Sequence, residues 1–445
     1  MSRPNILIII PHDLGAHLCC YGHKKVRSPN LDRFAGNGVR FANNFAVAPE
    51  CTPSRSSLFT GLYGHQHGLM GLCHRGWEYR DDAVHLAQRL GDAGYATHLF
   101  GVQHETGGDA ARLGYQHTHS IDDLNCEPVA DAAVKFLQSD KAKDGPWFAC
   151  IGFMQVHRGS KWPRDTSFGP DDVEVPAWLP DNDTSRREFA RFYQCIENMD
   201  AAAGRVFDAL RHSPAYDNTL AVFTVDHGIG FPRAKSTLYD PGINTALMMQ
   251  WPRRIAGNSV RDELISNIDF TPTVLEACEI DVPGTMPGRS FLPLLEYQPY
   301  DERDAVEGVL YYDAMYDPMA YVRTKTHKYI RSFAVDPDEA KGTDADMLFK
   351  HDCGNWVRAG DTDVQNADTW ATIEKPYDQV VPRELYDLEA DPLEQHNLAD
   401  DPQHASLVEQ LDARLMGMLR ETGSPLPGKH VSPDLSSTRN DRVKR

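Results

Sequence analysis

An α/β fold followed by an antiparallel region is the class this sequence predicts. Three observations predict it. Short runs of branched apolar residues, among them Asn5–Ile10 and Leu220–Val225, read as strands buried on both faces, and each stops at polar residues able to do chemistry. Segments with helical periodicity alternate with them. Beyond about Tyr300 the apolar runs turn short and lie at hairpin spacing.

Taken in order, Asn5–Ile10 is the first strand and ends at Pro11-His12-Asp13. A helix begins at Ser28-Pro29, with proline suited to a first turn. Val39–Ala46 is read as a strand, Ala83–Ala93 as a helix stopped by Gly94, and Ala96–Phe100 as a strand running out toward His104. Val129–Leu137 is helical, and Pro146–Phe153 is a strand ending near His157-Arg158. Glu188–Arg211 carries a long apolar stripe, including Phe189, Phe192, Ile196 and Met199. Leu220–Val225 leads into Asp226-His227-Gly228, and Thr245–Trp251 is the last clear core strand. Gly308–Asp313, Met319–Thr324 and His327–Phe333 read as antiparallel strands, and Ala405–Glu421 as an amphipathic helix. Lys341–Gln365 reads as a long loop and Thr422–Arg445 as a loose polar tail. These readings divide the chain into a catalytic unit, 1–300, and a C-terminal unit, 301–445.

The chain has 445 residues, 41% of them apolar and 24% charged, a globular composition with room for a large domain and a small one. A net charge of −19 argues against nucleic acid and anionic membranes as partners of the whole surface. A site for an anion must then be a local basic island. The apolar run Ile6–Ile10 is too short for a secretory core or a membrane span. Nine cysteines without a Cys-x-x-Cys pair suggest reduced thiols and a cytoplasmic setting. A homodimer is compatible with the sequence.

The segment Glu50-Cys51-Thr52-Pro53-Ser54-Arg55 places a cysteine at the start of a short helix, with Pro53 suited to the first helical position and Thr52 or Ser54 to the cap. A nucleophile there meets unpaired backbone N–H groups and the positive end of the helix dipole. Arg55 adds a fork of donors suited to a tetrahedral oxyanion. A lone cysteine in this position is ordinarily only a residue in a turn. Here, however, Cys51, Pro53, Ser54 and Arg55, followed by Thr60-Gly61, resemble the signature of the type I sulfatases, whose cysteine is converted after translation to Cα-formylglycine. Other segments resemble the family too. They are Ser28-Pro29-Asn30-Leu31-Asp32, Asp269-Phe270-Thr271-Pro272-Thr273, Gly288-Arg289-Ser290-Phe291-Leu292-Pro293-Leu294-Leu295 and, near the C-terminus, Glu384-Leu385-Tyr386-Asp387-Leu388 with Asp391-Pro392-Leu393-Glu394. The resemblance implies an alkaline-phosphatase-like α/β/α sandwich with a large mixed sheet, plus a smaller C-terminal α+β domain with an antiparallel sheet. It also implies maturation by a formylglycine-generating enzyme.

The resemblance further implies roles. Asp13, Asp226, His227 and the oxidised Cys51 match the divalent-metal set. Their oxygen donors suit Ca²⁺ first and Mg²⁺ as well, whereas the histidine nitrogens also admit Mn²⁺ or Zn²⁺. Two positions depart from the family: His12-Asp13 stands for Asp-Asp, and Asp226-His227 for Asp-Asn. His12 either coordinates the ion or hydrogen-bonds the site. His104 matches the base that resolves the intermediate, His157 the acid for the leaving group, and Arg55 and Lys235 the cations on the sulfate oxygens. Val102 stands where the family has a further sulfate-binding lysine. Arg158 and Arg233 are the nearby cations available to bind substrate in its place. Three local matches, around Gly64–Leu72, Val175–Asp181 and Asp226–Pro232, resemble the N-sulfoglucosamine sulfohydrolases. The expected substrate is therefore a small sulfated sugar or oligosaccharide. A phosphonate or phosphate ester hydrolase on the same scaffold is the alternative. A non-catalytic anion-binding protein with unconverted Cys51 is a third reading.

Overall fold

The structure is a computed structural model that describes residues 3–119, 121, 123–158, 162–312, 316–333 and 381–428. Eight strands form one sheet in the order β4-β3-β5-β1-β6-β7-β2-β8. They are β1 (Asn5–Pro11), β2 (Val39–Phe45), β3 (Ala96–Gly101), β4 (His117–His119), β5 (Trp147–Phe153), β6 (Thr219–Thr224), β7 (Leu247–Gln250) and β8 (Ser259–Ser266). Central β1 pairs in parallel with β5 and β6, in register Ile8↔Cys150 and Ile8↔Val222. β7 lies antiparallel to both β6 and β2, so it alone runs against the other seven. The sheet is mixed, yet five strands that carry candidate site residues point their C-terminal ends the same way.

The run Ile6–Ile10 explains the layering. Leu7 and Ile9 bury into one core with the helices Cys126–Leu137 and Asp183–Arg211. Ile6, Ile8 and Ile10 bury into the other with Leu86–Asp92 and Phe270–Ala277. A strand covered on both faces must be apolar throughout, because alternate side chains point to opposite layers. Each such isoleucine contributes about 1.5–3 kcal/mol by leaving water. The result is a helix–sheet–helix sandwich.

The second sheet, order β12-β11-β10-β9, is wholly antiparallel and comprises β9 (Val306–Tyr312), β10 (Tyr316–Arg323), β11 (His327–Ser332) and β12 (Arg383–Asp387). One face packs Val309, Tyr311, Ala320 and Val322 against Val408, Leu411, Leu415 and Leu419 of the helix Ala405–Glu421. The other packs Val306, Leu310, Tyr321 and Ile330 on Phe45, Leu238, Ile243 and Leu264 of the catalytic unit. The small sheet is thereby packed on the segment that follows β6.

Several expectations are adjusted. β4 and β8 were not anticipated, since β4 is three residues long and β8 opens as Ser-Val-Arg-Asp-Glu, a charged sheet edge without an apolar run. Thr245–Trp251 is therefore not the last strand of the main sheet. The C-terminal tail is not loose from Thr422 onward: Leu426 is buried, Thr422 Oγ1 lies 2.9 Å from His65 Nε2, and Ser424 Oγ lies 2.7 Å from Tyr311 Oη. Lys341–Gln365, Asp313 and the remainder of the tail lie outside the described residues. Among the described residues no helix is long and apolar enough to cross a membrane, and all eight cysteines are free thiols.

Two buried histidines behind the Cys51 helix set a pH dependence. His67 Nδ1 accepts the Leu69 N–H at 3.2 Å while Nε2 meets Ser57 Oγ at 3.0 Å, so the ring is needed neutral. Burial pushes His65 down to about 4 and His67 down to about 3. Below the ordinary histidine value the unfolded chain binds protons that the native protein cannot. Stability should therefore fall as pH falls from about 6.5 toward 4, by roughly 1.4 kcal/mol per pH unit for each ring. Urea midpoints near pH 7 and pH 5 check this; equal midpoints would contradict it.

Candidate active site and metal centre

Strand direction gathers the site. His12 and Asp13 follow β1, Asp226 and His227 follow β6, His104 follows β3, His157 follows β5, and Cys51 follows β2. All leave the C-terminal edge of same-direction strands, where backbone ends diverge and side chains can converge. Asp13 takes φ 54° and His104 φ 56°, left-handed conformations that a non-glycine residue adopts at a cost. Gly230 lets the chain pass close to Asp13: a Cβ there would lie 3.0 Å from Asp13 Oδ2.

Cys51 opens a helix, Cys51–Thr60, in which every residue is buried. The cap differs from expectation. Glu50 is the N-cap, Cys51 is the first helical residue and Pro53 the third, where its missing N–H still falls among those without an intrahelical acceptor. Thr52 and Ser54 do not cap. Thr52 Oγ1 donates to His104 O at 2.8 Å and accepts the Cys73 N–H at 3.2 Å, while Ser54 Oγ donates to Asp226 O. Asn267 braces the same turn, donating to Ser54 Oγ at 3.0 Å and accepting from Val47 N at 3.1 Å. The helix is thus pinned to three other active-site segments by hydroxyls that propensity alone would assign to a cap.

At the centre lies Asp226. It accepts from Arg55 Nε at 3.1 Å, from the backbone N–H groups of Asp13 and His227 at 3.1 and 3.0 Å, and lies 3.0 Å from His12 Nδ1. Burial pushes its carboxyl up, but His227, His12 and Arg55 outweigh that and hold it well below the usual carboxylate range. Asp13 lies 3.1 Å from Lys235 Nζ. Cys51 Sγ, which marks where a formylglycine oxygen would sit, is 3.1 Å from His227 Nε2 and 3.9 Å from Asp13 Oδ1.

These residues fit a bound cation. Ligand atoms of His12, Asp13, Cys51 and Asp226 all lie within 4.8 Å of one another, and all four residues are buried. His227 Nδ1 is 3.0 Å from Gly228 O, which can only accept, so Nδ1 carries the proton. The lone pair on Nε2 then faces Asp13 Oδ1 at 3.3 Å. Two acceptors so placed could share a cation between them. His12 Nε2 is buried with no hydrogen-bond partner in the protein. Oxygen, imidazole and Cys51-derived donors together suit a divalent ion.

The remaining polar groups surround this centre. Arg55 is fully buried, and its second terminal nitrogen donates to Ile10 O and Pro11 O at 3.2 and 3.3 Å, whereas the first has no partner in the protein. The rings of His104 and His157 lie 5.5 and 5.6 Å from that of His12. Burial, with Arg55 next in effect, pushes His104 down to about 3, so it stands neutral with Nδ1 unpartnered. His157 Nδ1 donates to Arg158 O at 2.8 Å, which leaves Nε2 as its proton-exchanging atom. Burial, reinforced by Asp13, Asp226 and Glu50 against Lys235, pushes the Cys51 thiol well up. An unmodified thiol here is a poor nucleophile.

Two residues expected at the substrate do not join the cluster. Arg158 is committed to Glu188 and, at 3.0 and 2.9 Å, to Gly230 O, sandwiched by Trp162 and Phe231. Arg233 turns to Glu394 O and lies over the Tyr239 ring at 4.2 Å. Both brace the loop that carries Lys235. Asn267 and Gly230 escaped sequence reading as functional residues, and Thr52 reads from sequence only as a helix cap. His74, whose ring is parallel to that of His104 at 5.7 Å, escaped it as well. Nothing in their spacing distinguishes them from ordinary loop residues.

The sulfatase family model matches residues 4–280, and a model described as N-sulphoglucosamine sulphohydrolase, C-terminal, matches residues 230–346. Human N-sulphoglucosamine sulphohydrolase is 28% identical, over 95% of this chain and 91% of its own. An ulvan-active sulfatase of Formosa agariphila is 27% identical, over 99% of this chain and 85% of its own. The solved phosphonate monoester hydrolase of Agrobacterium radiobacter shares the fold, with a TM-score of 0.71 at 20% identity, over 94% of this chain and 96% of its own. The fold is the alkaline-phosphatase-like one of solved sulfatases. With the family model covering more than half its length, the chain belongs to the sulfatase family. It is a hydrolase of sulfate esters or sulfamates.

Replacing Asp226 by alanine should release the divalent ion and abolish nearly all activity, since it removes the group that His12, Arg55 and two backbone N–H groups converge on. Elemental analysis of the purified variant checks this. Full metal occupancy would contradict the assignment.

Proposed function

We propose that this protein removes the sulfate from a small sulfated sugar, with N-linked sulfate on a glucosamine-type residue as the preferred target, acting at a chain end. One observation carries the substrate reading: similarity to human N-sulphoglucosamine sulphohydrolase spans nearly both chains, and the C-terminal model of that enzyme class matches separately. The net charge of −19 supports exo-action, because among the described residues Arg55 and Lys235 are the cations paired with the cluster's carboxylates, enough for one terminal sulfate and not for a polyanion.

In this reading Cys51 is converted to formylglycine by a formylglycine-generating enzyme, and its aldehyde hydrates to a geminal diol. One hydroxyl attacks sulfur in line with the leaving group. Asp13, Asp226, His227, His12 and residue 51 would hold a divalent ion, Ca²⁺ by oxygen-donor preference, and such an ion would supply Lewis acidity toward a hydroxyl of residue 51 and positive charge toward the sulfate oxygens. Arg55 presents its unpartnered nitrogen to an equatorial oxygen, and Lys235 a second cation. His157 protonates the departing oxygen or nitrogen through Nε2. Neutral His104 removes the proton of the second hydroxyl, and the diol collapses to aldehyde with loss of sulfate.

Cleavage of S–N requires protonation of nitrogen, whereas a nitrophenolate leaves unaided. His157→Ala should therefore slow sulfamate turnover by about 10²–10⁴-fold and nitrophenyl sulfate turnover far less. Equal losses would refute the role of His157. A panel of N-sulfated sugars, O-sulfated sugars and phosphonate esters on metal-replete protein tests the substrate class. Faster phosphonate turnover than that of any sulfated sugar would overturn the proposal.

A further inference from the structure

The segment bearing Lys235 adopts a backbone that its own sequence does not favour. Arg233 and Ser236, on either side of Lys235, have φ of 61° and 64°. Two left-handed non-glycine residues within four positions persist only where surroundings over-determine them. Those surroundings have two parts. On the active-site side, Ser236 N–H donates to Pro49 O at 3.1 Å, just ahead of the Cys51 helix, and Lys235 N–H donates to Ile229 O at 3.0 Å. On the far side the described side-chain partners of Tyr239 and Asp240, and the acceptor of Arg233, come from the C-terminal unit.

Glu394 is the hub of that far side. Its backbone oxygen accepts from Arg233, and its Oε2 accepts the Asp240 N–H at 2.6 Å. Its Oε1 lies 2.7 Å from Lys328 Nζ, whose ammonium also meets Asp240 Oδ1 at 2.5 Å. Arg323 from β10 closes on Asp240 at 3.0 and 3.1 Å, and Tyr239 donates to Glu384 of β12 at 2.8 Å. Glu394 and Lys328 are fully buried. None of these groups reaches Asp13, Cys51 or Asp226, so the catalytic step has no use for them. Their geometry has one shared consequence: both ends of the turn that projects Lys235 are fixed.

We propose that Glu394, with Lys328 and Arg233, is a positioning residue that holds Lys235 on the sulfate site, so that the C-terminal sheet tunes anion affinity in the catalytic unit. This rests on the reading that Lys235 contacts sulfate. A weakened clamp should let the strained turn relax and withdraw the ammonium from Asp13 and the bound anion. Sulfate binding should then suffer in the ground state while metal binding stays intact.

Calorimetric titration of inorganic sulfate into metal-loaded protein tests this without relying on turnover. Lys235→Ala should weaken sulfate by roughly 10–100-fold, the loss of one charge-assisted contact. Glu394→Gln should weaken it by about tenfold, and should do nothing further in the Lys235→Ala background, because both act through one ammonium. Should Glu394→Gln not fold, Arg233→Met, which cuts the strap at a half-buried side chain, and the charge-balanced pair Glu394→Gln with Lys328→Met carry the same expectation. Unchanged sulfate affinity in the clamp variants that fold, or losses that add fully to that of Lys235→Ala, would overturn the positioning role. Unchanged affinity in Lys235→Ala itself would instead overturn the sulfate contact on which the inference stands.

Discussion

A negative charge buried at the end of two parallel strands is the constraint that the rest of this structure serves. Asp226 cannot remain ionised in an apolar interior unless its oxygens are saturated with donors and cations. Arg55, His12 and two backbone N–H groups do this from three different segments. Because each donor must arrive within about 3 Å, the Cys51 helix, the end of β1 and the end of β6 are locked together. Cys51, the candidate cation ligands and Arg55 therefore share one tightly connected centre. In the proposed function, substrate and metal would meet groups already in place, and preorganisation of that kind lowers barriers.

The architecture makes that centre affordable. β1, covered on both faces, supplies apolar burial directly beneath His12 and Asp13, and the two helical layers anchor β5 and β6 beside it. One antiparallel strand, β7, separates β6 from β2, yet leaves β2 pointing its exit toward the same edge. Among the described residues, the C-terminal sheet contributes none to the candidate metal cluster. It packs under the β6 loop through Phe45, Leu238 and Ile243 and grips the turn that presents Lys235. A small sheet outside the cluster thereby touches the segment that carries Lys235.

Much of this was legible in the residues, and the exceptions have physical causes. Apolar runs such as Ile6–Ile10 and Leu220–Val225 betray central strands because both faces are buried. The edge strands β4 and β8 carry no such run and stayed hidden. The grouping of Asp13, Cys51, Asp226 and His227 was legible because the Cys51–Arg55 segment resembles a family signature, whereas an aspartate at a strand end alone reads as a helix cap. The fates of Arg158 and Arg233 were not: a cation near a site in sequence looks the same whether it faces an anion or a backbone carbonyl, and only the positions of Glu188, Gly230 and Glu394 decide. Thr52 and Ser54 illustrate the same limit, since a hydroxyl at a helix start reads as a cap, while here tertiary partners His104 and Asp226 claim both.

The account stands on residue 51 acting as an aldehyde hydrate, since its buried thiol is a weak nucleophile. The most direct measurement is the mass of the Cys51-containing peptide, with aldehyde-specific labelling, in preparations of graded activity made with and without a formylglycine-generating enzyme. The account predicts that specific activity rises in proportion to the aldehyde fraction and vanishes with it. Full activity in protein whose Cys51 is entirely intact thiol would contradict it.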